Sequence, residues 1–183
     1  MGGKALGVVE FKTVASGMTA LDRMVKTAAV DIVEAQTVCP GKYIAILSGS
    51  LSSVKASVDI ARSEFGEPLL GDFVLGNPHE GIFPAIYGAA EIENPGALGI
   101  VETYDVVSAI VAADVAAKTA AVELIELRLA KGMCGKSYLL LTGEVAAVEE
   151  AVQAAKTSIA AGGMFLDSSV IASPDKKMYN TIL

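Results

Sequence analysis

The sequence predicts an α+β protein built from two ferredoxin-like domains in tandem. Each is ordered β-α-β-β-α-β and followed by a short terminal helix. Three observations predict it. Ala5-Leu6-Gly7-Val8-Val9-Glu10 returns as Ala97-Leu98-Gly99-Ile100-Val101-Glu102. At that offset of 92, residues 5–34 and 97–126 share 15 identities over 30 positions. Within each copy, apolar residues switch between the strand period and the helix period in a fixed order. Two copies are too few for a solenoid, so each copy reads as a domain, 1–93 and 94–183, joined at the turn-forming stretch Glu93-Asn94-Pro95-Gly96.

The elements follow in order. Leu6 to Phe11 is an apolar strand, and Met18, Leu21, Met24 and Val25 recur at helical spacing after it. Val30 to Val38 is a strand whose apolar run is broken by Asp31 and Glu34. Cys39-Pro40-Gly41 turns the chain into Tyr43 to Leu47, a strand set beside the first. Ser50 can cap a helix carrying Leu51, Val54, Val58 and Ala61. Phe73 to Leu75 closes the sheet, and Asn77-Pro78 reads as an N-cap with proline at the first helical position. The second copy repeats this order, with Asp105 capping its first helix and Ser173-Pro174 its last. After a two-residue insertion, Gly41-Lys42 aligns with Gly135-Lys136.

Composition narrows the function. The 183 residues are 52% hydrophobic and 5% aromatic, so alanine and valine must supply close-packed thin layers. A net charge of −7 argues against nucleic acid as a partner. No apolar run reaches the roughly 18 residues of a membrane span, and Met1-Gly2-Gly3-Lys4 leads straight into a strand without a signal peptide. The expected location is the cytosol. Gly2 does not make a myristoylation signal, because Leu6 stands where Ser or Thr is wanted. Two cysteines, Cys39 and Cys134, make no disulfide framework, and the single histidine, His79, makes neither a triad nor a metal cage. There is no Gly-x-Gly-x-x-Gly or Walker loop and no acid–base constellation, so the chain does not read as an enzyme.

Both copies resemble the bacterial microcompartment (BMC) shell domain. The residues that carry this are Gly-Val-Val-Glu, a helix with Asp22 and Lys26, Val-Asp-Ile-Val, Gly-Lys, and a strand ending Leu-Ser-Gly. The first strand leads each copy, as in the non-permuted tandem class. The resemblance implies a homotrimer that mimics a hexamer, with six domains around a central pore. It implies that the pore is lined by Cys39, Pro40, Gly41 and Lys42 from the first copy and Met133, Cys134 and Gly135 from the second. Thr37-Val38-Cys39-Pro40-Gly41-Lys42 resembles, more narrowly, the iron–sulfur members of the family from propanediol-utilisation microcompartments. It implies a 4Fe–4S cluster on the threefold axis, with one Cys39 thiolate from each chain and the fourth iron left to an exogenous ligand. Partners would be other shell proteins and lumenal or cytosolic redox enzymes.

Plainer readings stand beside these. Cys39 is either a cluster ligand or an inert thiol in a tight turn. Cys134 departs from the family's glycine-rich second loop, and is a lining thiol, an additional ligand or a disulfide partner. Lys26 and Lys118 are solvated charges on equivalent helices, or, as the resemblance implies, residues of the edge where tiles meet. His79 reads as surface or packing, and Asp22 and Asp114, repeated with the fold, as structural. Two functions follow: a shell trimer carrying electrons through an axial cluster, or a structural or metabolite-conducting tile without one. A soluble redox enzyme is a weaker third.

Overall fold

A computed structural model describes residues 5–92 and 95–182. Gly2 lies outside the described residues, as do Glu93 and Asn94 of the expected domain junction. The first copy forms β1 (Ala5–Phe11), α1 (Val14–Thr27), β2 (Val30–Val38), β3 (Lys42–Gly49), α2 (Leu51–Glu64) and β4 (Leu69–Leu75). After α3 (Ile82–Tyr87), the second forms β5 (Ala97–Thr103), α4 (Val106–Thr119), β6 (Val122–Leu129), β7 (Ser137–Gly143), α5 (Val145–Ala160) and β8 (Phe165–Ile171), then α6 (Lys176–Tyr179). Each copy thus has the β-α-β-β-α-β order in its non-permuted form. The chain divides into two compact units: residues 5–78 with Gly132–Gly135, and His79–Lys131 with residues 136 onward.

Both sheets are antiparallel and four-stranded, in the order β2-β3-β1-β4 and β6-β7-β5-β8. The registers repeat down to their irregularities. A bulge between Ile32 and Glu34 recurs between Leu124 and Glu126, and one between Glu10 and Phe11 recurs between Glu102 and Thr103.

The core of the first unit joins Val9, Phe11 and Tyr43 of the sheet to Ala20 and Met24 of α1 and Val54, Val58 and Ala61 of α2. Burying a large aliphatic side chain of this kind contributes about 2 kcal/mol. The repeated Ala-Leu-Gly has a steric cause. A Cβ on Gly7 would lie 2.7 Å from Val54 Cγ1 of α2, and one on Gly99 2.9 Å from Val148 Cγ1 of α5. Glycine therefore lets the second helix of each copy settle directly on the central strand. Gly17 gives α1 the same closeness to Tyr43, whose ring carbon would stand 2.5 Å from an added Cβ. The second copy meets this demand differently, with Ala109 and Ser137 at the aligned positions.

Ser50 Oγ accepts from Ser53 N and Asp105 Oδ1 from Ser108 N, so both expected caps form. Four expectations need correction. β4 starts at Leu69 rather than Phe73; polar Asp72 hides a strand that pairs with β1 along its length. Asn77-Pro78 does not open a helix. Asn77 is held at φ 62° and His79 N donates to Asp114 Oδ1, so the helix begins only at Ile82, behind Gly81. Ser173-Pro174 likewise precedes the real cap, Asp175, whose carboxylate accepts from Lys177 N. Finally, Met18 and Leu51 follow the helical period but are exposed rather than buried.

Candidate functional site

The expected site is a pair of hairpin tips. β2 and β3 pair as far as Val38 opposite Lys42, which leaves Cys39, Pro40 and Gly41 to make the turn. Gly41 N donates to Val38 O at 2.9 Å and Gly41 sits at φ +100°, a conformation that costs glycine little. The Cys39–Pro40 bond is cis. Cys39 is half-buried with a free thiol, while Pro40 and Gly41 are exposed.

Lys42 anchors the tip to the sheet. Its Nζ lies 2.8 Å from Glu10 Oε1, and the Glu10 side chain is only 3% exposed. A carboxylate that deep needs its cation. The aligned residues of the second copy, Glu102 and Lys136, form no such pair among the described residues. Sequence reasoning missed Glu10 as a site residue, although its recurrence inside an apolar strand was the available signal.

The second tip is longer and bound differently. Ala130 (φ 58°), Gly132 (φ 70°), Cys134 (φ 53°) and Gly135 (φ 89°) all take the left-handed region. Two of these are not glycine, which is uncommon and costs backbone strain. Ala130 N donates to Ser137 Oγ at 3.2 Å, which fixes the base of the loop. Met133 is half-buried, Cys134 exposed with a free thiol, and Gly135 buried. Gly132–Gly135 belongs to the first compact unit, where the position of a Gly135 Cβ is 3.4 Å from Cys39 O and 3.5 Å from Lys42 Nζ. The fold therefore brings Cys39, Lys42 and Gly135 together.

Lys26 and Lys118 lie apart from these tips, on α1 and α4. Each pairs with the aspartate four residues before it at 2.7 Å. Asp22 is exposed, whereas Asp114 is 8% exposed and also holds His79 N at 2.8 Å. His79 itself is structural: its Nδ1 accepts from Gly81 N.

Another polar cluster crosses β6 and β7. Arg128 and the Tyr138 hydroxyl both reach the Glu126 carboxylate, the latter at 2.7 Å. Burial, reinforced by that hydrogen bond, pushes the Tyr138 hydroxyl up to about 12.

Among the described residues no group of three or more histidine, cysteine, aspartate and glutamate side chains gathers within one chain. No described helix is long and apolar enough to cross a membrane.

The chain is one ferredoxin-like unit written twice, each copy with a hairpin tip between its second and third strands. Comparison with known proteins gives the family. The BMC domain model matches residues 5–78 and 97–174, and the chain belongs to the BMC-domain family. It is 36% identical over 180 residues to the bacterial microcompartment shell protein PduT of Citrobacter freundii, covering 98% of both chains. A crystal structure of a microcompartments protein from Desulfitobacterium hafniense DCB superposes with a TM-score of 0.91. That chain is 42% identical, with 97% of this chain and 99% of that one covered. The carboxysome shell protein CcmK2 of Thermosynechococcus vestitus is 32% identical over 82 residues, covering 43% of this chain and 80% of its own. This is a structural protein of the microcompartment shell.

Proposed function

We propose that the chain builds a homotrimeric shell tile whose Cys39 thiolates, one from each subunit, hold a 4Fe–4S cluster for electron transfer across the shell. Two BMC domains in each of three chains would restore the six positions that single-domain shell proteins fill with six chains. The observation that carries the reading is the free, half-buried Cys39 thiol at a glycine-turned hairpin tip, in a chain similar to PduT over nearly its full length. The donor chemistry fits: thiolate is the usual ligand for such clusters. One chain supplies a single Cys39, so three chains would be needed. A bound cluster supplies one-electron transfer. The residues that would hold it are the Cys39 thiolates, on a turn that Gly41 closes at positive φ, while the Lys42–Glu10 pair fixes the loop base. Cys134 lines the pore without being a ligand, beside Met133 and Gly135.

A tile that conducts metabolites or serves only as structure is the second reading, and the exposure of Gly132 and Cys134 on the second tip favours it. Lys26 and Lys118 would serve contacts between tiles in either case. The role is structural rather than enzymatic, and the tile works beside other shell proteins and redox enzymes in a microcompartment of the bacterial cytoplasm. Anaerobic purification separates the two readings. A brown protein absorbing broadly near about 400 nm, with about four irons per three chains, is expected. A colourless protein without iron leaves the plain tile.

A further inference from the structure

We infer that Cys39 and Cys134 of one chain form a dithiol–disulfide couple, in which Cys134 closes on Cys39 under oxidation and withholds it from metal. The couple regulates the site proposed above and rests on that reading for the cluster. Both thiols are free, Cys39 half-buried and Cys134 exposed. Gly132–Gly135 belongs to the same compact unit as Cys39. Gly135, the residue after Cys134, is buried, and a Cβ placed on it would lie 3.4 Å from Cys39 O. Consecutive Cα atoms stand about 3.8 Å apart, so the two cysteine backbones are near neighbours.

The second thiol is not a copy of the first. With Gly41 aligned to Gly135, Cys134 falls opposite Pro40 and Met133 opposite Cys39. The longer second tip, with Ala130, Gly132, Cys134 and Gly135 all in the left-handed region, lies back against the first. A disulfide needs its Cα atoms within about 7 Å. Gly132 and Gly135 flank Met133-Cys134 and supply the backbone freedom to reach that distance.

Exposure sets the order of steps. The Cys134 thiolate attacks a small external disulfide such as oxidised glutathione, breaking its S–S bond and releasing one thiol. Cys39 then attacks Cys134 Sγ, and the second small thiol leaves as the Cys39–Cys134 bond forms. The two protein thiols have lost two electrons and two protons, and the external disulfide has gained both. Oxidised glutathione is an anion, and Ala130 to Lys136 carries Lys131 and Lys136 without an acidic residue. A sulfur held in a disulfide offers iron no thiolate, so disulfide and cluster exclude each other on a given chain.

The test starts from the full chain, freed of iron and fully reduced, and treats it anaerobically with oxidised glutathione. Remaining thiols are alkylated, and intact mass and peptide mapping read the product. The wild type should lose both of its thiols, each chain lighter by two hydrogen atoms and its Cys39 and Cys134 peptides linked. It should run as a single chain in a non-reducing denaturing gel. Cys39→Ser should stop at one glutathione adduct, on Cys134. On anaerobic reconstitution without added thiol, the oxidised wild type should take up no iron or sulfide, and dithiothreitol should restore uptake. Two glutathione adducts on each wild-type chain, or links formed only between chains, overturn the couple. Full iron uptake by the disulfide form overturns it as a control on the site. A Cys39–Cys134 disulfide in a protein that binds no iron even when reduced upholds the couple and overturns the cluster reading.

Discussion

Lys42 Nζ sits 2.8 Å from Glu10 Oε1, joining the residue after the Cys39 turn to a carboxylate buried in the middle of the first sheet. Lys42→Ala should therefore cost about 3 kcal/mol in urea unfolding, because it strands the carboxylate. Lys42→Met with Glu10→Gln should restore most of that. Lys136→Ala, at the aligned position with no such pair, should cost well under half as much. Equal losses at Lys42 and Lys136 would show that the pair is not what holds the tip.

Gly17→Ala should destabilise the first unit by about 1–3 kcal/mol, since its methyl group would enter the Tyr43 ring. Adding Tyr43→Ser recreates the Ala109–Ser137 combination of the second copy and should recover part of the loss, reduced by the cavity it opens. A thermal melt of the single and double variants measures the coupling.

Tyr138 should ionise well above the ordinary tyrosine value. Its hydroxyl, pushed up to about 12 by burial and by donation to Glu126, binds its proton more tightly in the folded state than in the unfolded state. Its contribution is therefore fully present below pH about 10 and is lost as pH rises toward 12. Tyr138→Phe should flatten the fall in stability over that alkaline window. An unchanged slope would remove Tyr138 as its source.

Lys26→Ala should change stability by only a few tenths of a kcal/mol, as expected for an exposed i,i+4 pair. Lys118→Ala should cost more, because Asp114 is buried, though its bond from His79 N remains. Combined, the two should leave the assembled protein intact and impair its packing into sheets, seen by electron microscopy. Normal sheets would make both lysines plain surface charges.

Much of this fold was legible because the chain states it twice. The order of elements along each copy and the capping roles of Ser50 and Asp105 followed from local patterns that tertiary packing did not override. Misreadings fell where distant contacts decide. Asn77-Pro78 has the signature of a helix start, but a hydrogen bond from His79 N to Asp114, 35 positions away, holds the chain out of helix. Met18 satisfies the helical period yet stays open, since periodicity cannot say which copy of a repeat is covered. Cys39 was visible as a thiol at a turn; the neighbourhood of Lys42 and Gly135 was not, because it depends on a loop nearly a hundred residues away. Glu10 looked like part of a strand and proved to be the counter-charge.

The trimer-held cluster is tested most directly by iron and acid-labile sulfide in anaerobically purified wild type, Cys39→Ser and Cys134→Ser, with each oligomer's mass measured alongside. The wild type and Cys134→Ser should carry about four of each per three chains, and Cys39→Ser should be colourless and still trimeric. Full iron and sulfide in Cys39→Ser with loss of both in Cys134→Ser would place the ligand in the other loop. Absence of iron from all three would contradict the cluster outright.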